Sequence, residues 1–254
     1  PISAMTANAR WWIDQTGADG FRLDAVKHVP PKFWLRLRQA MGDSPVYFVG
    51  ETIDSRKTIM NFVGPGALDG QFDFPLYWPI RDVFAFGRGT FADLEAALSD
   101  GDREYDPTAI HSTLLGNHDV ARFMAYADGD PEVGDTVQVD RADSYRKLIL
   151  AFTFLMTQSG VPMIYYGDEY GMTGANDPDC RKPMLWPDIK YDRESLRPEP
   201  GSRKEPNLPD TGLFRHYAKF LAARKACAAI RKGGYRTLYA ETGGHLFIFE
   251  RRLG

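Results

Sequence analysis

Three carboxylates in this chain stand where strand-like apolar segments end. Asp24 follows residues 20–23, Glu51 follows residues 46–50, and Asp119 follows a strand-like run and a short turn. In a barrel of parallel strands the carboxyl ends of the strands meet on one rim, so acids that are distant in sequence can surround one bond. A group of carboxylates of this kind is what cleavage of a glycosidic bond requires.

The spacing between Asp24 and Glu51 is about one strand–helix–strand step, which predicts that they lie side by side. Retaining cleavage needs two carboxyl groups about 5–5.5 Å apart, one as nucleophile and one as acid/base. Arg22 points the same way from its strand and would keep Asp24 ionised as the nucleophile. The apolar residues 48–50 before Glu51 favour the protonated form that a general acid must keep.

The third carboxylate, Asp119, would stabilise the positive charge that develops on the sugar ring. Each of the three also has a purely structural interpretation. Asp24 and Arg22 could form a structural ion pair, whereas Glu51 and Asp119 could cap helices. Their occurrence at three successive strand ends favours the catalytic interpretation.

The elements that must position these residues alternate along the chain. The predicted strands cover residues 18–26, 46–52, 68–76, 110–115 and 161–166. The predicted helices cover residues 3–16, 30–42, 78–86, 90–98, 141–159 and 213–229, and residues 171–210 are predicted to form a long irregular loop. Alternation of this kind predicts an α/β fold with a parallel sheet.

A closed (β/α)8 barrel needs eight strands, whereas this pattern supplies about five. We therefore expect residues 1–231 to be the C-terminal portion of a (β/α)8 TIM barrel that lacks its first three strands. Residues 232–254 change to a hairpin pattern and are expected to begin a C-terminal β-sandwich domain. The chain is accordingly expected to be part of a longer protein.

The composition is that of a globular domain, with 43% hydrophobic and 26% charged residues among 254. The net charge of −3 gives no basic surface for nucleic acid, and no apolar run is long enough to span a membrane. Cys180 and Cys227 are too few for a disulfide framework, and the chain has no metal-binding motif. The sequence assigns no cellular location or oligomeric state.

Three segments carry a family resemblance. Residues 20–28 (Gly-Phe-Arg-Leu-Asp-Ala-Val-Lys-His), 48–51 (Phe-Val-Gly-Glu) and 116–119 (Gly-Asn-His-Asp) resemble the nucleophile, acid/base and stabiliser segments of the α-amylase superfamily of glycoside hydrolases. The resemblance implies that Asp24 is the nucleophile, Glu51 the acid/base and Asp119 the transition-state stabiliser. It further implies that Arg22 orients Asp24, that His118 binds sugar hydroxyls, and that Lys27 and His28 line product-side subsites.

The resemblance extends to residues 160–169, which are similar to the last barrel strand of the family. Residues 176–186 are most similar to its neopullulanase and cyclomaltodextrinase group. The first family signature, Asp-x-x-x-Asn-His, and the inserted domain that follows it are absent from the sequence. The usual calcium ligands belong to that insert, so Ca²⁺ is expected only in a full-length parent. The chemistry itself requires no cofactor.

Several other residues are candidates for the functional site. Tyr166 and Trp186 could stack on the flat faces of sugars or could serve packing alone. Arg181 could reach a carboxylate at the rim or could form a surface ion pair. Asp168 and Glu169 could shape the site or cap the next element.

Together these observations predict a retaining glycoside hydrolase acting on an α-glucan. It would cleave α-1,4-glucosidic bonds in starch-like glucans or maltooligosaccharides through a covalent glycosyl–Asp24 intermediate. One alternative is a transglycosylase, in which a sugar hydroxyl intercepts the intermediate. Another is a non-catalytic carbohydrate-binding homologue, which the retention of all three carboxylates disfavours.

Overall fold

The computed structural model describes residues 2–129, 142–195, 201, 203–243 and 246–254. Arg141, at the predicted start of a helix, and Gly244 and His245, in the predicted hairpin, lie outside the described residues. The chain forms two compact units. The first comprises Pro1–Leu76 and Ala97–Thr113, and the second comprises Tyr77–Ala96 and Leu114–Gly254.

The predicted strands and helices occur in the predicted order, and two short helices, Arg56–Met60 and Phe123–Asp128, lie in segments for which no element was predicted. The strands are β1 (Gly20–Leu23), β2 (Tyr47–Gly50), β3 (Gly70–Gln71), β4 (Ser112–Leu114), β5 (Val161–Met163), β6 (Glu194–Ser195), β7 (Lys204–Glu205), β8 (Gly234–Ala240) and β9 (Phe247–Arg252). The α-helices are α1 (Ile2–Thr16), α2 (Pro31–Met41), α3 (Arg56–Met60), α4 (Phe74–Ile80), α5 (Phe91–Glu104), α6 (Phe123–Asp128), α7 (Ala142–Thr157), α8 (Thr211–Ala226) and α9 (Ala228–Lys232).

The first unit is built on a parallel sheet in the order β1-β2-β3. Gly20 pairs with Tyr47 and Leu23 with Gly50, so β1 and β2 end level with each other. A single parallel bridge joins Phe72, just after β3, to Ser112. The predicted parallel α/β arrangement is confirmed for this unit.

The core of this unit lies between the sheet and α2. Pro31 opens α2, and Trp34, Leu37 and Met41 recur at helical spacing on its buried face. They pack in one cluster whose other members are Val26, Val46, Phe48, Phe62 and Leu68. A Cβ atom on Gly50 would approach a Leu68 methyl group to 2.5 Å, so a larger residue at the end of β2 would displace the buried Leu68 side chain.

The third strand is much shorter than predicted. Residues 68–76 were expected to be extended, but β3 ends at Gln71 and α4 begins at Phe74. The side chain of Asp73 accepts a hydrogen bond from the Leu76 N–H at 3.1 Å, which stabilises the helix start. The predicted helix 78–86 therefore begins earlier, and it continues as a π-helix over Arg81–Phe86.

The second unit has α7 at its centre, close to the predicted helix 141–159. Leu148, Phe152 and Leu155 on α7 are buried, and the Phe152 ring stacks on Tyr217 of α8 at 3.5 Å between centroids. The predicted helix 213–229 is interrupted at Cys227, which separates α8 from α9. The strands β8 and β9 form the predicted antiparallel hairpin.

The described part of residues 171–210, which leaves out residues 196–200 and 202, is less irregular than predicted. It contains a 3-10 helix over Asp179–Arg181 and an antiparallel pair of two-residue strands, β6 and β7. Composition rich in Pro, Asp and Gly concealed these elements, because each is too short to show a periodicity.

The described residues also bear on membrane-spanning helices and on disulfide bonds. No helix among them is both long and apolar enough to cross a membrane. Cys180 and Cys227 are both free thiols.

Candidate active site

The register of β1 and β2 places Asp24 and Glu51 on neighbouring strand ends. Leu23 pairs with Gly50, and the hydrogen bonding continues one residue further. The Glu51 N–H donates to the Leu23 carbonyl at 2.8 Å, and the Val26 N–H donates to the Glu51 carbonyl at 2.9 Å. The two carboxylates therefore follow directly on two strands that are fixed to each other.

The side chain of Glu51 is held by the turn after β1. Glu51 is 7% exposed, and its Oε2 accepts a hydrogen bond from the Ala25 N–H at 2.9 Å. Ala25 has a φ of 47°, in the left-handed region that alanine rarely adopts. This strained turn directs a backbone donor at a recessed carboxylate.

The side chain of Asp24 is much more open. It is 73% exposed and forms an ion pair with Arg22 of β1. This ion pair is expected whether Arg22 orients a nucleophile or the two residues form a purely structural pair. An exposed carboxylate beside a recessed one gives the two acids different surroundings.

Lys27 connects the loop after β1 to the loop after β2. Its Nζ donates to the Ile53 carbonyl at 2.8 Å and to Asp54 Oδ2 at 3.1 Å. Hydrogen bonds from the Ser55 N–H and from Lys27 hold the pKa of the Asp54 carboxyl well below its usual range. Lys27 is thus engaged within the protein, whereas the neighbouring His28 is exposed.

Asp119 lies in the second unit, in a turn stabilised by its own neighbours. Its N–H donates to Asn117 Oδ1 at 2.9 Å, and its Oδ2 lies 3.4 Å from His118 Nε2. Arg181 Nη2 lies 3.3 Å from Asp119 Oδ1, and Arg181 Nε donates to the His118 carbonyl at 2.9 Å. Arg181 therefore reaches Asp119 itself, and it also pairs with Asp177 at 3.2 Å.

A buried ion pair that was not predicted lies close by in the chain. Arg122 Nη1 donates to Asp168 Oδ1 at 3.2 Å and to the Tyr166 carbonyl at 2.7 Å. Both side chains are almost fully buried, and burial raises the pKa of Asp168 to about 7. An arginine inside the apolar run 120–127 was the available signal, because a charge in such a run needs a buried partner.

The two aromatic candidates differ in how firmly they are held. Tyr166 is 38% exposed, and its hydroxyl donates to the Lys182 carbonyl at 2.6 Å. Trp186 is 53% exposed, and its backbone N–H donates to the Tyr191 hydroxyl at 2.7 Å. Both residues are exposed, as a residue that stacks on sugars must be.

The described residues offer no obvious metal site. No group of three or more His, Cys, Asp or Glu side chains within the described ranges is arranged to hold a metal ion. The carboxylates of this part of the chain are instead engaged by arginine, lysine and backbone N–H groups.

Comparisons with a family model and with curated proteins agree with each other. The family model described as alpha amylase, catalytic domain, matches residues 2–233. A cyclomaltodextrinase of Geobacillus thermopakistaniensis is 32% identical over 256 residues, covering 97% of this chain and 37% of the relative. Neopullulanase 2 of Thermoactinomyces vulgaris is 30% identical over 251 residues, covering 96% of this chain and 36% of the relative.

The fold agrees with these matches. The cyclic alpha-maltosyl-(1→6)-maltose hydrolase of Arthrobacter globiformis, solved with its ligand, superposes with a TM-score of 0.78 at 27% identity. It covers all of this chain, which corresponds to 50% of that structure. This chain spans little more than a third of the two curated relatives named above. The parallel strands are those of a TIM-barrel-type fold, and the chain belongs to the alpha-amylase family through its catalytic domain.

Proposed function

We propose that the protein containing this chain hydrolyses α-glucosidic bonds in α-glucans with retention of configuration. One observation carries the proposal. The strands β1 and β2 end side by side, and the Ala25 N–H donates a hydrogen bond to Glu51 Oε2. This arrangement sets an exposed carboxylate beside a recessed one, and retaining cleavage uses two carboxyl groups in different roles.

In the first step the Asp24 carboxylate attacks the anomeric carbon while the glycosidic C–O bond breaks. Glu51 donates its proton to the departing oxygen, and a glycosyl ester forms on Asp24. Because Oε2 of Glu51 accepts the Ala25 N–H, Oε1 is the oxygen that carries the transferable proton. Arg22 fixes the orientation of the Asp24 carboxylate through their ion pair.

In the second step Glu51 acts as a base. Its carboxylate takes a proton from water, the water oxygen attacks the anomeric carbon, and the ester bond to Asp24 breaks. The sugar leaves with its original configuration, and both carboxyl groups return to their starting state. Asp119 is proposed as the stabiliser of the positively charged transition state, on the strength of residues 116–119.

The proposed substrates are maltooligosaccharides and cyclomaltodextrins with α-1,4 bonds. The names of the relatives, cyclomaltodextrinase and neopullulanase, support this class of substrate. Tyr166 and Trp186 are proposed to stack on glucosyl rings, because both are exposed aromatic residues. His118 and His28 are proposed to bind sugar hydroxyls.

The test compares Asp24→Asn and Glu51→Gln with Asp19→Asn in the full-length protein. Asp19 is exposed and immediately precedes β1, at the opposite end of the strand that Asp24 follows. We expect the first two changes to lower kcat on maltotetraose by at least about 10³-fold and Asp19→Asn to leave it unchanged. A glycosyl fluoride that is slow to deglycosylate should leave a covalent adduct on a peptide that contains Asp24, as measured by mass spectrometry.

Two results would contradict the proposal. One is kcat in Asp24→Asn or Glu51→Gln close to that of Asp19→Asn. The other is NMR detection of inversion in the first-formed product, since inversion requires a single displacement by water.

A further inference from the structure

Arg122 and Arg224 are both buried in the second unit, but they form different contacts. Arg224 donates hydrogen bonds to the carbonyls of Met156, Gln158 and Gly160, which satisfies the end of α7. Arg122 uses only Nη1 in hydrogen bonds, and its Nε and Nη2 have no partner within the described residues. Incomplete bonding of a buried cation needs a reason beyond local stability.

The remaining contacts of Arg122 are with aromatic rings. Its guanidinium carbon lies 4.4 Å from the ring centre of Tyr165 and 4.7 Å from that of Tyr166. The same guanidinium holds the Tyr166 carbonyl, so both the backbone and the ring of Tyr166 are fixed by one side chain. At the other end, the Tyr166 hydroxyl is fixed by the Lys182 carbonyl.

Arg122 also belongs to the segment that carries Asp119. It stands three residues after Asp119, and its backbone N–H donates to the Gly174 carbonyl at 2.9 Å. Through its backbone and its side chain, Arg122 therefore ties the turn of Asp119 to residues 166–174. No other charged side chain within the described residues hydrogen-bonds the Tyr166 carbonyl.

We propose that Arg122, clamped by Asp168, is a positioning residue that sets the mutual placement of Asp119 and Tyr166 in the glucan site. The proposal rests on the proposed function, because it assigns those two residues to that site. Arg122 does not touch substrate in this proposal, and it acts through the backbone and the ring that it holds. A displacement of about 1 Å in such groups can cost about 100-fold in rate.

The groups that face Asp168 are Arg122, Glu169 and Tyr217. Burial raises the pKa of Asp168, whereas Arg122 lowers it, so the carboxyl gains a proton near neutral pH. Protonation removes the charge that clamps Arg122. The clamp should therefore loosen as the pH falls through about 7.

The experiment compares Arg122→Met with Arg224→Met in the full-length protein, each rate being normalised to the folded fraction. Both variants lose a buried cation of the second unit, so both should melt at lower temperature. We expect kcat/KM on maltotetraose to fall about 100-fold in Arg122→Met, with changes in both kcat and KM, and about 3-fold or less in Arg224→Met. Arg122→Lys, which keeps the cation, should regain part of the loss.

If Arg122→Met does not fold, Asp168→Asn provides the test. It should lower kcat/KM at pH 8 and lose the decline that the unchanged protein shows as the pH falls through about 7. Normalised rates for Arg122→Met equal to those of Arg224→Met, or an unaltered pH profile in Asp168→Asn, would overturn the positioning role. Failure of the proposed function is separately visible, since Asp24→Asn would then keep its activity.

Discussion

At the scale of single residues, the motifs predicted which acids matter but not what holds them. The Arg22–Asp24 contact could be predicted, because residues two apart on a strand share a face. The Ala25 donor could not, because alanine has no preference for a positive φ that a sequence would reveal. The Arg122–Asp168 pair was missed for another reason, since its partners are distant in sequence and only the fold selects them.

The turn at Ala25 offers a test at this scale. Ala25→Gly should keep the N–H on Glu51 and relieve a strained φ, so we expect unchanged kcat and stability equal to or up to about 1 kcal/mol above that of the original. Ala25→Val places a β-branched residue at φ 47° and should destabilise the protein by about 1–3 kcal/mol while lowering kcat. Urea unfolding and steady-state kinetics measure both effects.

Comparison of the two variants shows whether the turn at Ala25 positions Glu51. If Ala25→Val retains kcat in its folded fraction, the turn does not position Glu51. If Ala25→Gly loses kcat, the side chain of Ala25 has a role that its backbone does not explain.

At the scale of elements, the type and order of the longer helices and of the main strands followed from apolar periodicity, whereas their extents did not. The strands β1, β2 and β5 are shorter than the runs that predicted them, because those runs extend beyond the residues that pair in the sheet. The predicted end of α5 at residue 98 was also too early, since the helix continues to Glu104. Residues 99–104 are polar and give no apolar signal for a helix, although their backbone remains helical.

The helix predicted over residues 90–98 begins at a reciprocal capping box formed by Thr90 and Asp93. The Thr90 N–H donates to Asp93 Oδ2 at 2.8 Å, and the Asp93 N–H donates to Thr90 Oγ1 at 3.1 Å. The hydroxyl and N–H of Thr90 also lower the pKa of the Asp93 carboxyl.

Removal of this cap should cost a predictable amount of stability. Thr90→Ala loses the hydroxyl that accepts the Asp93 N–H, so we expect a loss of about 1 kcal/mol in the free energy of unfolding. Thr90→Ser keeps a hydroxyl and should lose no more than a few tenths of that amount. Equal losses in the two variants, measured by urea titration, would show that the methyl group of Thr90 matters and the cap does not.

At the scale of the whole molecule, each unit contains buried ionisable groups that composition could not reveal. In the first unit Asp73 accepts a hydrogen bond from the Tyr105 hydroxyl at 2.7 Å, and the His111 ring stacks on Tyr105. Burial raises the pKa of Asp73 and lowers that of His111, so these two groups respond to pH in opposite directions. In the second unit Asp168 pairs with Arg122, and burial raises the pKa of the Asp168 carboxyl.

Asp168 should therefore give the stability of the protein a measurable dependence on pH. Its pKa is about 7 in the folded chain and near the ordinary value of 3.8 when unfolded, so the folded state binds more protons between these values. The stabilisation that it provides is complete below about pH 4 and is lost as the pH rises to about 7, by roughly a few kcal/mol. Asp168→Asn should flatten this part of the curve, and exposed Asp19→Asn should leave it unchanged. Urea unfolding at several pH values measures the slopes, and an Asp168→Asn slope equal to that of Asp19→Asn would show that Asp168 is ionised throughout this range.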